Sequence, residues 1–370
     1  MSAVVAILNR QAVAIAADSA VTVNGKIYNN ALKIFTLSKY HPVGVMIYNS
    51  GSFLSTPWET IIKIYRAQLK STSFSTVKQY KEDFIKYLHD KKFFVSDEEQ
   101  KQYLLSNLFY FLYNSIHEEV LKQKGAVLPE GINQECDRLI ALVNGNPIIC
   151  EEFKDFTFEN FNDFLGETFN QSIEYYYAQR GTDLEAATTD KLKILIHGLI
   201  IKQEQFTYFT GLVFVGFGED EIFPALSSMN VHFAIQSRLK HYDGNEVSIS
   251  YNWGSSIQPF AQTAAMNTLL TGIAPTLGQT YTENFKQFLT KYNQRLFDII
   301  NPSNPEIADQ IKAIDIDQQV RDFDDDVSQV QRTQYTGPLM GAVESLSKED
   351  LSEMAESWVH FKLSQLSGSL

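Results

Sequence analysis

Residues 1–25 read MSAVVAILNRQAVAIAADSAVTVNG, and this stretch decides how the fold begins. Two runs, Val4–Leu8 and Ala12–Ala16, are rich in β-branched residues and alanine, and the polar triplet 9–11 (Asn-Arg-Gln) separates them. Short apolar runs joined by a polar turn are typical of a hairpin of buried strands. We therefore expect the first buried strand to begin directly behind the initiator methionine, with no leader before it.

The composition of the chain is that of a globular protein. With 370 residues, of which 44% are hydrophobic and 20% charged, it can bury a large core. A net charge of −13 repels phosphate backbones and anionic membrane surfaces, so neither a nucleic acid nor a membrane is an expected partner. The chain has only two cysteines, and we expect both to be free thiols in a reducing compartment. Because no apolar run approaches the roughly 20 residues that span a bilayer, we expect a cytoplasmic location.

The periodicity of the sequence changes three times along the chain. The first 50 residues are rich in strand patterns, and from Pro57 to about residue 204 apolar residues recur at helical spacing. Strand patterns return at 209–215, 225–233 and 247–251. A helical pattern then resumes at Pro259 and continues nearly to the end. The order strands, helices, strands, helices predicts an α+β layered fold rather than a doubly wound sheet.

Sequence motifs of nucleotide, zinc and α/β-hydrolase sites are absent. Gly216-Phe-Gly218 lacks the third glycine of a phosphate-binding loop, and we interpret it as a turn after a strand. Asp322–Asp326 resembles the beginning of a calcium loop, but Val327 and Thr333 stand where that loop needs glycine and glutamate. A solvated acidic turn is the expectation there. We predict no cofactor and no metal.

The start of the chain carries a combination of groups that suggests catalysis. Removal of Met1 is expected before a residue as small as serine, and it would leave Ser2 with a hydroxyl and a free α-amine. The α-amine has a reference pKa of about 7.7 to 8.0, so part of it is neutral near neutral pH. A neutral amine can accept the hydroxyl proton while the oxygen attacks a carbonyl. Ser2 is therefore a candidate nucleophile that carries its own base.

Several segments of the chain, together with Ser2, form a pattern that resembles that of a known family. They are Ala16-Ala-Asp-Ser-Ala-Val-Thr22, Ala31-Leu-Lys33-Ile and Gly44-Val-Met-Ile-Tyr-Asn-Ser-Gly51, and more weakly 210–226 with Trp253-Gly-Ser255. Asp18 follows Ser2 by 16 residues and Lys33 follows Asp18 by 15. In these segments and spacings the chain resembles the proteasome-type N-terminal nucleophile (Ntn) hydrolases, which include bacterial proteasome-like protease subunits.

The resemblance implies a fold and an activity. The fold is an α+β, four-layer αββα sandwich with a long helical insertion. Residues 1–56 and 205–370 would form the proteasome-like core, and 57–204 would hold two core helices and an inserted helical subdomain. The activity is hydrolysis of a peptide or amide bond. The partners implied are a peptide or protein substrate, a regulatory or adaptor protein, and further copies of the chain in a homo-oligomer.

The resemblance also implies a role for each matching residue. Ser2 would be nucleophile and base. Lys33 would lower the pKa of the Ser2 amine, and Asp18 would orient Lys33. Backbone N–H groups around Ser50 and Gly51 would form the oxyanion hole. The remaining two positions are Ser255, which would hydrogen-bond near the amine, and Thr22, which would pair its backbone with an extended peptide substrate.

The chain departs from the family in four respects. Its nucleophile is serine where the proteasome type usually has threonine, and activation would need only removal of Met1 because no propeptide precedes Ser2. The turn at residues 49–52 reads Asn-Ser-Gly-Ser, whereas the family carries two adjacent glycines. The family ends with two core strands, but the last pattern here is helical.

Three alternatives to the catalytic interpretation stay open at this point. Asp18 is also suited to satisfy turn amides, and Lys33 to be a solvated strand residue. A catalytically inactive scaffold of the same fold would use its helical insertion to bind a protein partner. A helical interaction protein with a β-rich cap would share the pattern by accident.

Overall fold

The structure is a computed structural model that describes residues 3–19, 21–23, 26–28, 31–91, 96–122, 128–203, 206, 208–261 and 263–367. These residues form antiparallel sheets and many helices, which confirms the mixed α and β character expected from the sequence. No helix of these ranges is both long and apolar enough to cross a bilayer. Two compact units divide the chain: Met1–Ala31 with Ser248–Leu370, called the end unit, and Leu32–Val247, called the middle unit.

The secondary-structure elements follow one another in two strand-rich and two helix-rich stretches. The strands are β1 (Ala3–Asn9), β2 (Val13–Ala17), β3 (Val21–Val23), β4 (Lys26–Tyr28), β5 (Ile34–Thr36), β6 (Val43–Asn49), β7 (Ser52–Phe53), β8 (Thr56–Pro57), β9 (Thr210–Gly216), β10 (Ala225–Ile235), β11 (Arg238–Ser248) and β12 (Ser255–Ala261). The helices are α1 (Trp58–Leu69), α2 (Val77–Lys91), α3 (Asp97–Leu104), α4 (Tyr110–Lys122), α5 (Leu128–Gly145), α6 (Phe158–Ala178), α7 (Ala186–Ile201), α8 (Ala264–Thr271), α9 (Pro275–Ile300), α10 (Pro305–Lys312), α11 (Ile316–Gln331), α12 (Gly337–Ser345) and α13 (Lys348–Ser367).

The end unit contains a three-stranded antiparallel sheet in the order β12-β1-β2, with β1 at its centre. All seven residues of β1 are buried. Ala3, Val5 and Ile7 belong to the apolar cluster that includes residues of α13. The residues between them, which point to the opposite face of the sheet, are fully buried as well. A strand buried on both faces reads as an uninterrupted apolar run, which is why this segment shows no alternation.

The hairpin between β1 and β2 confirms the turn predicted at residues 9–11, and the side chain of Asn9 fixes it. Its Oδ1 accepts hydrogen bonds from the backbone N–H groups of Gln11 (2.9 Å) and Ala12 (3.0 Å). Its Nδ2 donates to the carbonyls of Val343 (3.0 Å) and Leu346 (2.8 Å) at the end of α12. Asn9 therefore ties the hairpin to the C-terminal helices from a fully buried position.

Strand β12 corrects the prediction of a helix from Pro259 onward. It pairs with β1 in antiparallel register, with Pro259 opposite Val5. Because β12 lies at the edge of its sheet, a proline without an N–H is tolerated there. The helix expected in this region, α8, begins only after the strand has ended. The strand pattern at 247–251 was also misplaced, since β11 begins at Arg238 and ends at Ser248.

The middle unit contains a five-stranded antiparallel sheet in the order β11-β10-β9-β6-β5. Strand β9 is buried along its whole length. Leu212 and Phe214 of β9 pack with Trp58 of α1 and Phe84 of α2 in one apolar cluster. At the end of β9, Gly216 has a φ of 145°, and a Cβ there would come within 2.0 Å of the Pro42 carbonyl oxygen. The Glu221 N–H donates to the Gly218 carbonyl at 3.2 Å, so the turn predicted after this strand is confirmed.

Helices α3 to α7 build a second cluster of the middle unit, rich in aromatic side chains. One π-helical turn, Leu105–Phe109, joins α3 to α4. Lys240 of β11 is fully buried and caps the end of α7 by donating to the carbonyls of Leu199 (3.1 Å) and Ile200 (2.6 Å). Helices α1 to α7 all begin and end within the segment 57–204 predicted to be helical, while the predicted core boundaries themselves stay a prediction.

After β12, the described residues 263–367 form helices and no strand. This differs from the two terminal core strands that the family resemblance implies. The acidic run Asp322–Asp326 lies inside α11, so the solvated turn predicted there is wrong and the run is helical. Its apolar neighbours explain the helix, because Phe323 packs against Phe285 of α9 with ring centroids 4.4 Å apart.

Candidate active site at the start of the first strand

The start of β1 is the place where the sequence predicts catalysis. Met1 and Ser2 lie outside the described residues, so the candidate nucleophile is approached through its neighbour Ala3. Ala3 is 1% exposed and stands in register with Ala261 of β12. Ala3, the residue that follows Ser2 in the chain, is therefore held in the central strand of the sheet, between β12 and β2.

Asp18 lies beside Ala3 on the side of β2. The backbone N–H of Asp18 donates to the Ala3 carbonyl at 2.9 Å, and the Asp18 Oδ1 accepts from the Ala3 N–H at 3.0 Å. Asp18 is 5% exposed. One alternative was that the Asp18 carboxylate accepts hydrogen bonds from turn amides. The carboxylate does accept from a backbone amide, but this amide belongs to Ala3 in β1 rather than to a turn. A buried carboxylate thus lies one residue from the predicted nucleophile.

Lys33 belongs to the middle unit and precedes β5. Its carbonyl accepts a hydrogen bond from the Ile47 N–H at 2.8 Å, which extends the pairing of β5 with β6. Lys33 is only 7% exposed, so the alternative of a solvated strand residue is wrong. Lysine is rarely buried to this extent without a specific role for its charge. The catalytic role of Lys33 stays a prediction.

The predicted oxyanion turn follows the last residue of β6. It lies at the same end of the strands as Lys33. Asn49 turns the chain there with a φ of 70°, a left-handed conformation that asparagine tolerates better than most residues. The Ser50 N–H already donates to the Phe209 carbonyl at 3.2 Å. Ser50 could stabilise an oxyanion only by giving up this bond, so its predicted donor role gains no support.

Gly51 keeps the predicted role open. Its carbonyl accepts from the Trp58 N–H at 3.1 Å, and none of the hydrogen bonds found among the described residues engages its own N–H. A Cβ at Gly51 would meet no atom within 4 Å, so there is open space beside the turn. The arrangement leaves room for a substrate carbonyl next to this donor.

Two residues that the sequence analysis missed hold the turn in place. The Trp58 Nε1–H donates to Thr210 Oγ1 at 2.8 Å, and the Thr210 hydroxyl donates to the Ser50 carbonyl at 3.0 Å. Trp58 is fully buried and Thr210 is 2% exposed. Such a buried chain of donors fixes the orientation of the peptide between Ser50 and Gly51. The only sequence signal was a tryptophan seven residues behind Gly51, at the start of a helix.

Ser255 lies at the other end of β1 from the candidate site. It pairs with Asn9, whereas Ala261 pairs with Ala3, and the length of β1 separates the two ends by about 20 Å. Its hydroxyl donates to the Met340 carbonyl at 2.8 Å. The predicted position of Ser255 beside the Ser2 amine is therefore corrected: this serine ties β12 to α12.

Thr22 lies in β3, which forms a two-stranded hairpin with β4. Thr22 stands opposite Ile27 in this pairing. Among the strands that the structure describes, β3 has β4 as its one neighbour, so the second edge of β3 has no partner there. An extended peptide adds to a sheet at such an edge, and the substrate-pairing role of Thr22 stays a prediction.

No family model, no curated protein and no solved structure matches this chain. The resemblance to proteasome-type Ntn hydrolases therefore stays a prediction from the sequence. The described residues contain no cluster of three or more His, Cys, Asp or Glu side chains arranged to hold a metal ion.

Proposed function

We propose that this chain is an Ntn hydrolase that cleaves a peptide or amide bond with Ser2 after removal of Met1. The observation that carries the proposal is the Asp18 carboxylate, buried and 3.0 Å from the N–H of Ala3 at the start of a central strand. The sequence spacing supports the proposal together with this contact, because Ala3 is the residue that follows the proposed nucleophile in the chain.

The proposed reaction proceeds in two halves. The neutral α-amine of Ser2 accepts the hydroxyl proton while the hydroxyl oxygen attacks the substrate carbonyl carbon. The Gly51 N–H stabilises the oxyanion of the tetrahedral intermediate, an interaction commonly worth roughly 3 to 4 kcal/mol. The ammonium then gives its proton to the leaving nitrogen as the C–N bond breaks, which leaves an ester on Ser2.

Water completes the cycle by the same groups. The amine accepts a proton from water as the water oxygen attacks the ester carbonyl, and that proton returns to the serine oxygen as the acid product leaves. In this scheme Lys33 and Asp18 have the supporting roles that the family resemblance implies. Thr22 would pair its backbone with the substrate.

The four-layer αββα sandwich is part of the proposal. Each unit supplies a sheet with helices packed on one face, which is what half of such a sandwich contains. Strands β1 and β9 are buried on both faces, as central strands of stacked sheets are. A cytoplasmic location, a homo-oligomeric state and a protein or peptide substrate complete the proposal, and the acidic charge argues against nucleic acids and membranes as partners.

The test is the intact mass of the untagged protein before and after reaction with a β-lactone or epoxyketone, which trap N-terminal hydroxyl nucleophiles. We expect loss of Met1 and one adduct that maps to Ser2. Ser2→Ala is the matched control, because alanine also permits removal of Met1 but supplies no hydroxyl. A chain that keeps Met1, or that gives the same adduct in the control, refutes the proposal.

A second candidate function is the inactive scaffold whose helical segment binds a partner. It is favoured by one observation, a cavity of about 330 Å³ between α4, α5 and α7. Its walls are mostly apolar, including Leu112, Ile116 and Leu139, and the buried Glu135 pairs with Arg138 at 2.6 Å beside them. The volume falls in the range of small-molecule and side-chain pockets.

The dye 1-anilinonaphthalene-8-sulfonate, which fluoresces when it enters an apolar pocket, tests whether this cavity takes up a guest. Leu139→Trp should fill the cavity and lower the fluorescence, whereas Leu142→Trp, at an exposed site on the same helix, should not. The scaffold function gains support if this contrast appears while Ser2 stays unreactive. Equal fluorescence in both variants would show that the dye does not enter this cavity, and the scaffold function would lose its support.

A further inference from the structure

Helix α9 is the longest helix of the chain, and none of its residues is buried. Five large apolar side chains on it are each at least 44% exposed: Leu277, Tyr281, Phe288, Tyr292 and Ile299. At 100° per residue they fall within an arc of about 60°, and at 1.5 Å per residue they extend over about 33 Å. We call these five residues the α9 stripe.

Neighbouring residues of α9 already have a partner in α11. Phe285 packs on Phe323, and Lys286 forms an ion pair with Asp317 at 2.6 Å, so that face is occupied by α11. The α9 stripe lies beside this face and exposes its aromatic rings. Phe288 and Tyr292 stack on each other with nearly parallel planes, their centroids 6.0 Å apart. The side chains of the α9 stripe therefore follow one line along the helix, and each is about half exposed in the described part of the chain.

The α9 stripe is about as large as the largest apolar patch on a typical monomer, and such patches are often functional. An aromatic side chain offers about 150 to 250 Å², so three half-exposed rings and two aliphatic side chains expose roughly 500 Å². Contiguous exposed apolar patches of a few hundred Å² mark interaction sites. Two copies of the stripe facing each other would bury about 1,000 Å², which reaches the lower limit of a specific protein interface.

The two aliphatic ends of the α9 stripe lie symmetrically about Phe288. Leu277 precedes Phe288 by 11 residues and Ile299 follows it by 11. Tyr281 and Arg295 are each seven residues away, and on the same helical face Asn284 and Tyr292 are each four residues away. Placed against its own copy in the antiparallel direction, the helix brings Phe288 to Phe288, Leu277 to Ile299 and Tyr281 to Arg295.

Each of these pairs is favourable. Phe288 packs on its own copy at the axis, the aliphatic ends cover each other, and the Arg295 guanidinium lies over the Tyr281 ring as a cation–π pair. A two-fold interface requires a surface that is complementary to itself. The symmetric spacing supplies this complementarity, whereas an unrelated partner would not need it.

We propose that two copies of this chain form a two-fold dimer through antiparallel pairing of their α9 helices, with Phe288 at the axis. This dimer gives a specific form to the homo-oligomeric state in the proposed function. None of the candidate catalytic residues lies on α9, so the dimer holds or fails independently of the proposed hydrolysis. The occupant of the α9 stripe is thus a second copy.

Sedimentation velocity of the full chain over a range of concentrations tests the proposal. We expect a dimer of the 42.1 kDa chain. Phe288→Glu places two carboxylates against each other at the axis and should weaken the dimer at least about a hundredfold. Gln287→Glu adds the same charge to an exposed position about a quarter-turn away and should leave the dimer intact. A monomer at all concentrations, or a dimer that Phe288→Glu does not weaken, overturns the proposal.

Disulfide trapping tests the antiparallel direction. Both native cysteines, Cys136 and Cys150, are buried and should stay unreactive in the folded chain. Under mild oxidation Phe288→Cys should link to its own copy. Leu277→Cys and Ile299→Cys should each stay unlinked alone but link when the two variants are mixed. Self-linkage of Leu277→Cys would indicate a parallel pair and overturn the arrangement. Because all three positions are exposed, thermal unfolding of each monomer should be unchanged.

Discussion

His232 in β10 should make the stability of this protein depend on pH. It is 2% exposed, and neither ring nitrogen has a hydrogen-bond partner among the described residues. Three aromatic rings surround it, those of Phe206, Phe209 and Tyr242, with centroids 5.1 to 5.7 Å away. Burial, and then the charge of Lys240, lowers the pKa of His232 to about 3. The folded chain therefore holds this imidazole neutral.

The size of the effect follows from the difference between the two states. In the unfolded chain a histidine has a pKa of about 6.5, so between that value and about 3 only the unfolded chain binds the proton. The contribution of His232 to stability is therefore complete above about pH 6.5 and falls by about 1.4 kcal/mol for each unit that the pH drops. From about pH 7.5 to about pH 4.5 the loss should be about 2 to 3 kcal/mol.

Urea unfolding followed by circular dichroism measures this loss in the native chain and in His232→Phe, which fills the aromatic cage without a titrating group. All other titrating groups are common to the two chains, so the difference in pH dependence isolates His232. We expect the variant to lose about 2 to 3 kcal/mol less than the native chain over that pH interval. If both lose the same stability, the folded chain does not keep His232 neutral, and the reasoning is refuted. His232→Leu serves as a second variant if phenylalanine overfills the site.

Three further substitutions have expected outcomes. Asn9→Ala removes the four hydrogen bonds of a buried side chain and should lower the free energy of unfolding by about 3 kcal/mol; urea unfolding measures this, and a loss no larger than that of the exposed control Gln11→Ala would contradict it. Asp18→Asn should slow the formation of the Ser2 adduct at least about tenfold while Met1 is still removed, which a time course of intact mass follows; an unchanged rate would exclude a role for the carboxylate. Trp58→Phe keeps an aromatic ring but deletes the donor to Thr210. Adduct formation should slow, and the free energy of unfolding should fall by about 1 kcal/mol. An unchanged rate of adduct formation would show that the turn at Ser50 and Gly51 takes no part in the reaction.

The first hairpin could be predicted from the sequence because its information is local. The apolar runs and the polar turn are contiguous, and Asn9 bonds to amides two and three residues away. The partner strand β12 could not be predicted in the same way, since its neighbour β1 lies about 250 residues earlier. Pro259, which indicates the start of a helix when it is read locally, lies instead in an edge strand whose conformation is set by pairing.

The candidate site shows the same division between local and distant information. The position of Asp18 beside Ala3 follows from continuing the β1 and β2 pairing by one residue, whereas the sequence analysis selected Asp18 through the family resemblance. The position of Ser255 depended on the register of β12, which no local pattern contains, and it was wrong. The burial of Lys33 and the donor chain from Trp58 through Thr210 to Ser50 depend on packing between distant segments, which the sequence does not reveal.

The position of β1 between β2 and β12 has a consequence for the order in which the molecule is assembled. During synthesis β1 leaves the ribosome well before its second neighbour, which begins at residue 255. Val343 and Leu346, the acceptors for Asn9, follow still later. Contacts this distant in sequence form slowly. Until then β1 has its hairpin partner alone, and its apolar face is available to chaperones and processing enzymes. A strand made before its partners is therefore among the last to be enclosed, and a chain that stops before α13 is expected to leave β1 uncovered.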